Sequence, residues 1–161
     1  MVLRYVIRRA TEADVPQLSE WRRQAYVRRW WGDPEVEPEL EKLREPRVAM
    51  WIVEDDGTPM AFIQDYSVAD WSPHHFDYLP RGSRGLDFYI GEAEMLGLGH
   101  GPKILRQHVN DLFALGVPAV GIDPHPENEP ALKAFHKAGF RISGGPLNTQ
   151  WGRAILMDRY A

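Results

Sequence analysis

Apolar residues along this chain alternate in some stretches and recur every three or four residues in others, and the two periods mark out its strands and helices. Arg4 to Arg9 alternates around Tyr5 and Ile7 and predicts a first strand. Val15, Leu18, Trp21 and Ala25 share one helical face. Thr11-Glu12-Ala13-Asp14 starts that helix as a capping box with Asp in the place of Glu. The helix runs on to Trp31, until Gly32 and Pro34 stop it. Residues 35–46 are acidic and proline-flanked and predict a short solvated helix around Leu40 and Leu43. Val48 to Glu54 predicts a strand, Asp56-Gly57 a hairpin turn and Met60 to Val68 the returning strand. Residues 69–83 form a polar, aromatic loop too long to be a mere connection, and such loops are usually functional or mobile.

The second half repeats the alternation of strand and helix. Leu86 to Ile90 is aromatic and β-branched, as a strand requires. Ile104, Leu105, His108, Val109, Leu112 and Phe113 recur at helical spacing, with Gly101 at the cap, Pro102 at the first position and Gly116 as the stop. Val117 to Asp123 is a short apolar strand, and Leu132 to Phe140 a helix opened by Asn128. Arg141-Ile142-Ser143 starts a strand, Gly144-Gly145-Pro146 turns it, and Trp151 to Tyr160 returns. The order predicts an α/β (α+β) sandwich with a mixed, mostly antiparallel sheet, in one domain over residues 1–161.

Composition narrows the class. The chain has 161 residues, enough for one substantial core, and 26% of them are charged, which is ordinary for a globular protein. A formal charge of −4 argues against a nucleic-acid partner. With no cysteine there is no disulfide, thiolate metal site or cysteine nucleophile. No signal-like segment or membrane-length apolar run is present, so a cytoplasmic protein without a membrane partner is expected.

The glycine loop Leu96-Gly97-Leu98-Gly99-His100-Gly101 between strand and helix carries the first chemistry. Glycines ahead of a helix let backbone N–H groups and the positive dipole end approach a phosphate. A dinucleotide fingerprint needs its third glycine elsewhere, and Lys103 is followed by Ile104, where a nucleotide-hydrolase loop has Ser or Thr. An ordinary glycine turn is the alternative. Strand, then x-x-G-x-G, then helix resembles motif A of the GNAT superfamily of acyl-CoA-dependent N-acetyltransferases, with Leu96 where that family has a basic or amide side chain. Asn128 followed by Ala134-Phe135-His136-Lys137-Ala138-Gly139-Phe140 resembles its motif B. Arg29-Trp30-Trp31-Gly32, Arg84-Gly85-Leu86-Asp87 and Ile122-Asp123-Pro124 extend the resemblance to the aminoglycoside 6′-N-acetyltransferases.

The resemblance implies a sheet that splays after the strand holding Asp87, flanked by helices, with acetyl-CoA in the split and no metal. Its pyrophosphate is then expected on Gly97, Leu98, Gly99, His100, Gly101 and Pro102. The pantetheine is expected along Phe88, Tyr89 and Ile90, with Asn128, Ala131 and Phe135 nearby. Asp87 is the expected base, although a buried structural carboxylate is the other reading. A normal Asp titrates near ~3.9, so burial or a water relay is needed. Phe135 stands where many relatives have Tyr and has no proton for the leaving thiolate. Asn128 reads equally as a helix cap. Trp30 and Trp31 are the expected acceptor wall, packing being the alternative for either. Asp65, Tyr66, Trp71 and Asp123 are further acceptor candidates. His74-His75-x-Asp77 has the residue types of a metal site, but adjacent histidines rarely share an ion.

The expected activity is transfer of acetyl from acetyl-CoA to a primary amine of a small molecule, an aminoglycoside being one such acceptor, by a monomer or homodimer. Arg28, Arg29, Arg81 and Arg84 stand where a polycation site would want carboxylates. Two alternatives remain: another amine, such as a lysine side chain in siderophore assembly, or a non-catalytic acyl-CoA-binding module.

Overall fold

In the computed structural model, residues 5–161 are described; Arg4, which opens the expected first strand, lies outside them. Seven strands follow the hydrogen-bonded order β1-β2-β3-β4-β5-β7-β6 in a mixed, mostly antiparallel sheet. They are β1 (Tyr5–Arg9), β2 (Val48–Asp55), β3 (Thr58–Ser67), β4 (Arg84–Ile90), β5 (Ala119–Ile122), β6 (Arg141–Thr149) and β7 (Gly152–Tyr160). The helices are α1 (Val15–Arg23), α2 (Ala25–Trp31), α3 (Glu39–Leu43), α4 (His100–Ala114) and α5 (Glu129–Lys137). Among the described residues no helix is long and apolar enough to cross a membrane. The chain packs as two compact units, Met1–Gln64 with Phe88–Leu98 and Asp65–Asp87 with Gly99–Ala161.

The first unit is built on the β2–β3 hairpin. Asp56 and Gly57, both at positive φ (51° and 78°), make the two-residue turn that alternating strands require. β1 joins β2 antiparallel, Tyr5 facing Asp55. Asp14 accepts the backbone N–H of Thr11 at 2.8 Å and caps the first helical turn as expected. The single helix expected to Trp31 is instead two. Gln24 is extended (φ −60°, ψ 131°), which ends α1 and redirects α2. Ala25, expected on the buried face, is therefore exposed, while Leu18, Trp21 and Arg22 are buried. Arg22 survives burial because Glu39 of α3 meets it at 2.5 Å and the Trp31 carbonyl accepts a second N–H. The short helix around Leu40 and Leu43 is thus fastened inward by its first residue rather than merely solvated. Leu18, Trp21, Val27, Met50, Ile52, Phe62 and Tyr89 form the core beneath it.

The second unit pairs β4 with β5 in parallel over Arg84–Leu86, and β5 with β7 antiparallel. Close packing selects glycine twice here: a Cβ on Gly85 would overlap the Tyr66 ring, and one on Gly121 would lie 2.7 Å from Phe76. Two boundaries differ from the sequence expectation. Gly144-Gly145-Pro146 does not turn the chain; β6 runs through it with two register shifts, and the turn falls at Gln150-Trp151. An irregular strand absorbs extra residues as bulges, so the local turn signal is overridden. α4 begins at His100, capped by Gly99 in the left-handed region, and Pro102 sits within the first turn, where its missing N–H costs nothing.

Candidate active site

The parallel register fixes the centre of the site. Leu86 of β4 stands beside Ile122, the last residue of β5, so the residues that follow, Asp87 within β4 and Asp123 just past β5, come next to one another where the parallel pairing ends. A hydrogen bond joins their side chains. Two carboxyls bond to one another only with a proton between them. Burial pushes Asp123 up to about 7, while its hydrogen bonds to Asp87 and to its own backbone pull the other way.

His75 reaches the same group from the long loop, its Nε2 lying 2.7 Å from Asp123 Oδ2. Burial holds the His75 imidazole below the usual histidine value despite the neighbouring charges of Asp87 and Asp77. A neutral imidazole has one N–H, and donation from Nε2 leaves Nδ1 as the acceptor. His74 stacks on His75 with centroids 3.9 Å apart and is driven to about 4, first by burial and then by His75. Its Nδ1 accepts from the Phe76 N–H at 3.0 Å, which places its proton on Nε2, 3.3 Å from the Tyr66 hydroxyl. Asp77 is exposed and holds the loop, accepting from the His74 N–H and from Ser72 Oγ. Among the described residues no group of three His, Cys, Asp or Glu is placed to hold a metal.

Aromatic rings line the approach. Trp151, at the β6–β7 turn, lies 5.1 Å from His74 and 6.2 Å from Trp71, which in turn meets Tyr66 at 6.4 Å. The sequence does not single out Trp151. Its neighbours offer no motif, and only the hairpin carries the ring to residues 80 positions earlier in the chain. His75 likewise stands in the sequence only as half of a histidine doublet.

Other candidates are placed differently. Asp65 is not at this centre: its buried carboxylate takes Arg84 Nε at 2.7 Å and His108 Nε2 at 2.9 Å. Burial pushes its pKa up, but His108 and Arg84 outweigh that and hold it below the usual carboxylate value. In the first unit the two tryptophans diverge. Trp31 packs edge-on against Tyr89 (5.0 Å) and Phe62 (5.7 Å). Trp30 is half-buried under the Arg29 guanidinium at 4.5 Å. Asp33 pairs with Arg28.

On the loop ahead of α4, Gly97 and Gly99 both take positive φ (72° and 82°), with open space where each Cβ would stand. Leu98 is exposed, His100 and Gly101 are buried, and Pro102 is half-buried. In β4, Phe88 and Ile90 are half-buried and Tyr89 is buried. Asn128 accepts from the Ala131 N–H at 3.3 Å as the cap of α5, and the ring of Phe135 is buried.

Comparison with known proteins supplies the family. The model of the acetyltransferase (GNAT) domain matches residues 10–145. The aminoglycoside N(6′)-acetyltransferase type 1 of Klebsiella pneumoniae is 32% identical over 165 residues, covering 94% of this chain and 80% of that protein. The structure of AAC(6′)-Ib in complex with parmomycin and acetyl-CoA superposes with a TM-score of 0.84 at 29% identity, covering 97% of this chain and 93% of that one. The same enzyme with coenzyme A and kanamycin gives 0.83 at 28% identity, covering 97% and 94%. The chain belongs to the GNAT acetyltransferase family and is an acyl-CoA-dependent N-acetyltransferase.

Proposed function

We propose that the chain transfers acetyl from acetyl-CoA to a primary amine of a small molecule, with the amine held at Asp87. The observation that carries this reading is the Asp87–Asp123 carboxyl pair where the parallel pairing of β4 and β5 ends, in a chain of this family. The amine arrives as an ammonium and loses one proton to Asp87. Its lone pair then attacks the thioester carbonyl, forming C–N as C–S breaks. A second proton passes from nitrogen through water to the departing thiolate, since Phe135 has none to give, and the third stays on the amide. The bound proton then returns to solvent.

Acetyl-CoA is assigned to the loop from Gly97 to Pro102, whose helix N-terminus suits a pyrophosphate, with pantetheine along Phe88–Ile90. Tyr66, Trp71, Trp151 and His74 offer apolar faces to the acceptor, whereas carboxylates are few. The favoured acceptor accordingly carries one or two amines on an apolar or sugar-like body rather than many charges. Thiol release from acetyl-CoA over a panel from monoamines to tobramycin tests this. Turnover with the less charged amines is expected. Rates on tobramycin of ~10⁶ M⁻¹s⁻¹ or above would overturn the charge preference. Bound acetyl-CoA with no thiol released by any amine would make the chain a non-catalytic acyl-CoA module.

A further inference from the structure

His75 has no part in the reaction as derived so far, yet from the long loop it reaches Asp123 of the carboxyl pair. It and Asp123 lie 48 positions apart in the sequence and meet at 2.7 Å, with 9% and 17% of their side chains exposed. The groups facing it are Asp123 after β5, Asp87 on β4, Asp77 and His74 on its own loop, and the Trp151 ring from the β6–β7 turn.

The tautomers close into one arrangement. His75 donates from Nε2 to Asp123 Oδ2, and the proton shared by the carboxyls lies between Asp123 and Asp87. We propose that the proton of the acceptor ammonium is taken up by the Asp87–Asp123 pair as a unit, and that His75, donating to Asp123, is the positioning residue that keeps this pair a usable base. The inference rests on the proposed amine acetylation and names a residue of the same site. In the step, the reacting pair has both carboxyls ionised: an N–H bond of the ammonium breaks, its electron pair stays on nitrogen, and the proton comes to rest between the two carboxyls, giving the singly protonated pair. No other co-reactant is needed.

The direction of the effect follows from what the donor does. Burial alone favours the protonated pair, whereas an N–H aimed at Asp123 favours its ionised form. Burial pushes Asp123 up to about 7, near the pH at which a base works best. Without the donor, the pair keeps its proton to higher pH and fewer molecules carry a free base at neutrality.

Two substitutions separate the N–H from the ring. His75→Phe keeps an aromatic face against His74 but removes the donor; His75→Gln gives up the ring and retains an N–H at similar reach. The acidic limb of kcat/KM is expected to move up by ~1 pH unit in His75→Phe, with a ~10-fold loss at pH 7 that recovers at pH 9. His75→Gln should keep the limb within ~0.3 pH unit of the parent. A limb unmoved in His75→Phe, or moved equally in both, overturns the proposal and leaves His75 to packing. The Asp123 carboxyl resonance in the ¹³C-labelled protein is titrated in parallel. An upward midpoint in His75→Phe alone supports the assignment, and an unchanged one overturns it. This arm reads the pair even if no amine is turned over, so failure of the wider function remains distinguishable from failure of this inference.

Discussion

Asp65 and Asp123 are two carboxyls of the same compact unit, each met by a histidine Nε2 at less than 3 Å, and they end in opposite states. Asp65 is 2% exposed and sits below the usual carboxylate value; Asp123 is pushed up to about 7. Burial pushes both up. For Asp65 the His108 hydrogen bond and the permanent cation of Arg84 outweigh it, whereas for Asp123 the hydrogen bonds to Asp87 and its own backbone do not. One arrangement fixes β3 to β4 and α4 with its charge settled. The other leaves a proton poised near neutrality. A buried carboxyl is therefore structural or chemical according to whether its neighbours offset the burial.

The largest expected effect comes from Asp65→Asn, which strands Arg84 beside a buried amide. Unfolding in urea should show a loss of about 3 kcal/mol. Because the folded value lies below the ordinary one, this stability is present above ~3.9 and disappears as pH falls further; the variant should lose that acid-side dependence. A cost well under 1 kcal/mol would break the contrast at its structural end.

Asp87→Asn tests the chemical end. It keeps shape but removes the charge that receives the ammonium, so kcat/KM should fall ~10²-fold while calorimetry shows unchanged acetyl-CoA affinity. Near-normal kcat with the parent's acidic limb would return Asp87 to a structural role.

Asp123→Asn should change stability in the opposite sense to Asp65→Asn. A folded value above the ordinary one means that the parent is stabilised below ~3.9 and loses that advantage as pH rises through about 7. An amide avoids the penalty of a buried charge, so the variant should gain ~2 kcal/mol relative to the parent between pH 5 and pH 8, after allowance for the 17% exposure. No relative gain at pH 8 would show that the pair stays protonated there.

Trp151→Ala sharpens the picture at the rim. With 55% of the residue exposed, stability should stay within ~1 kcal/mol. The acceptor KM should rise ~5-fold at unchanged kcat if the ring is part of the acceptor wall. An unchanged KM for every amine would remove it from that wall.

Local chemistry made much of this molecule legible in its sequence. Alternation and an Asp-Gly pair specify the β2–β3 hairpin, whose turn residues take the positive φ such a turn demands. Helical spacing and Gly116 specify where α4 runs and stops. The ordered motifs specify the family, because a glycine loop and an asparagine-capped helix are short-range patterns. Tertiary structure decided everything that depends on partners far apart in the chain. Helical periodicity runs unbroken through Gln24, yet α1 ends there, and Arg22 is buried against a Glu39 that no periodicity pairs with it. The strand register sets Asp87 beside Asp123, an arginine claims Asp65, and the long loop and last hairpin bring His75 and Trp151 to one place. Dihedral preferences and amphipathic periods act over a few residues, whereas the charge state of a carboxyl depends on whichever groups packing brings within a hydrogen bond of it.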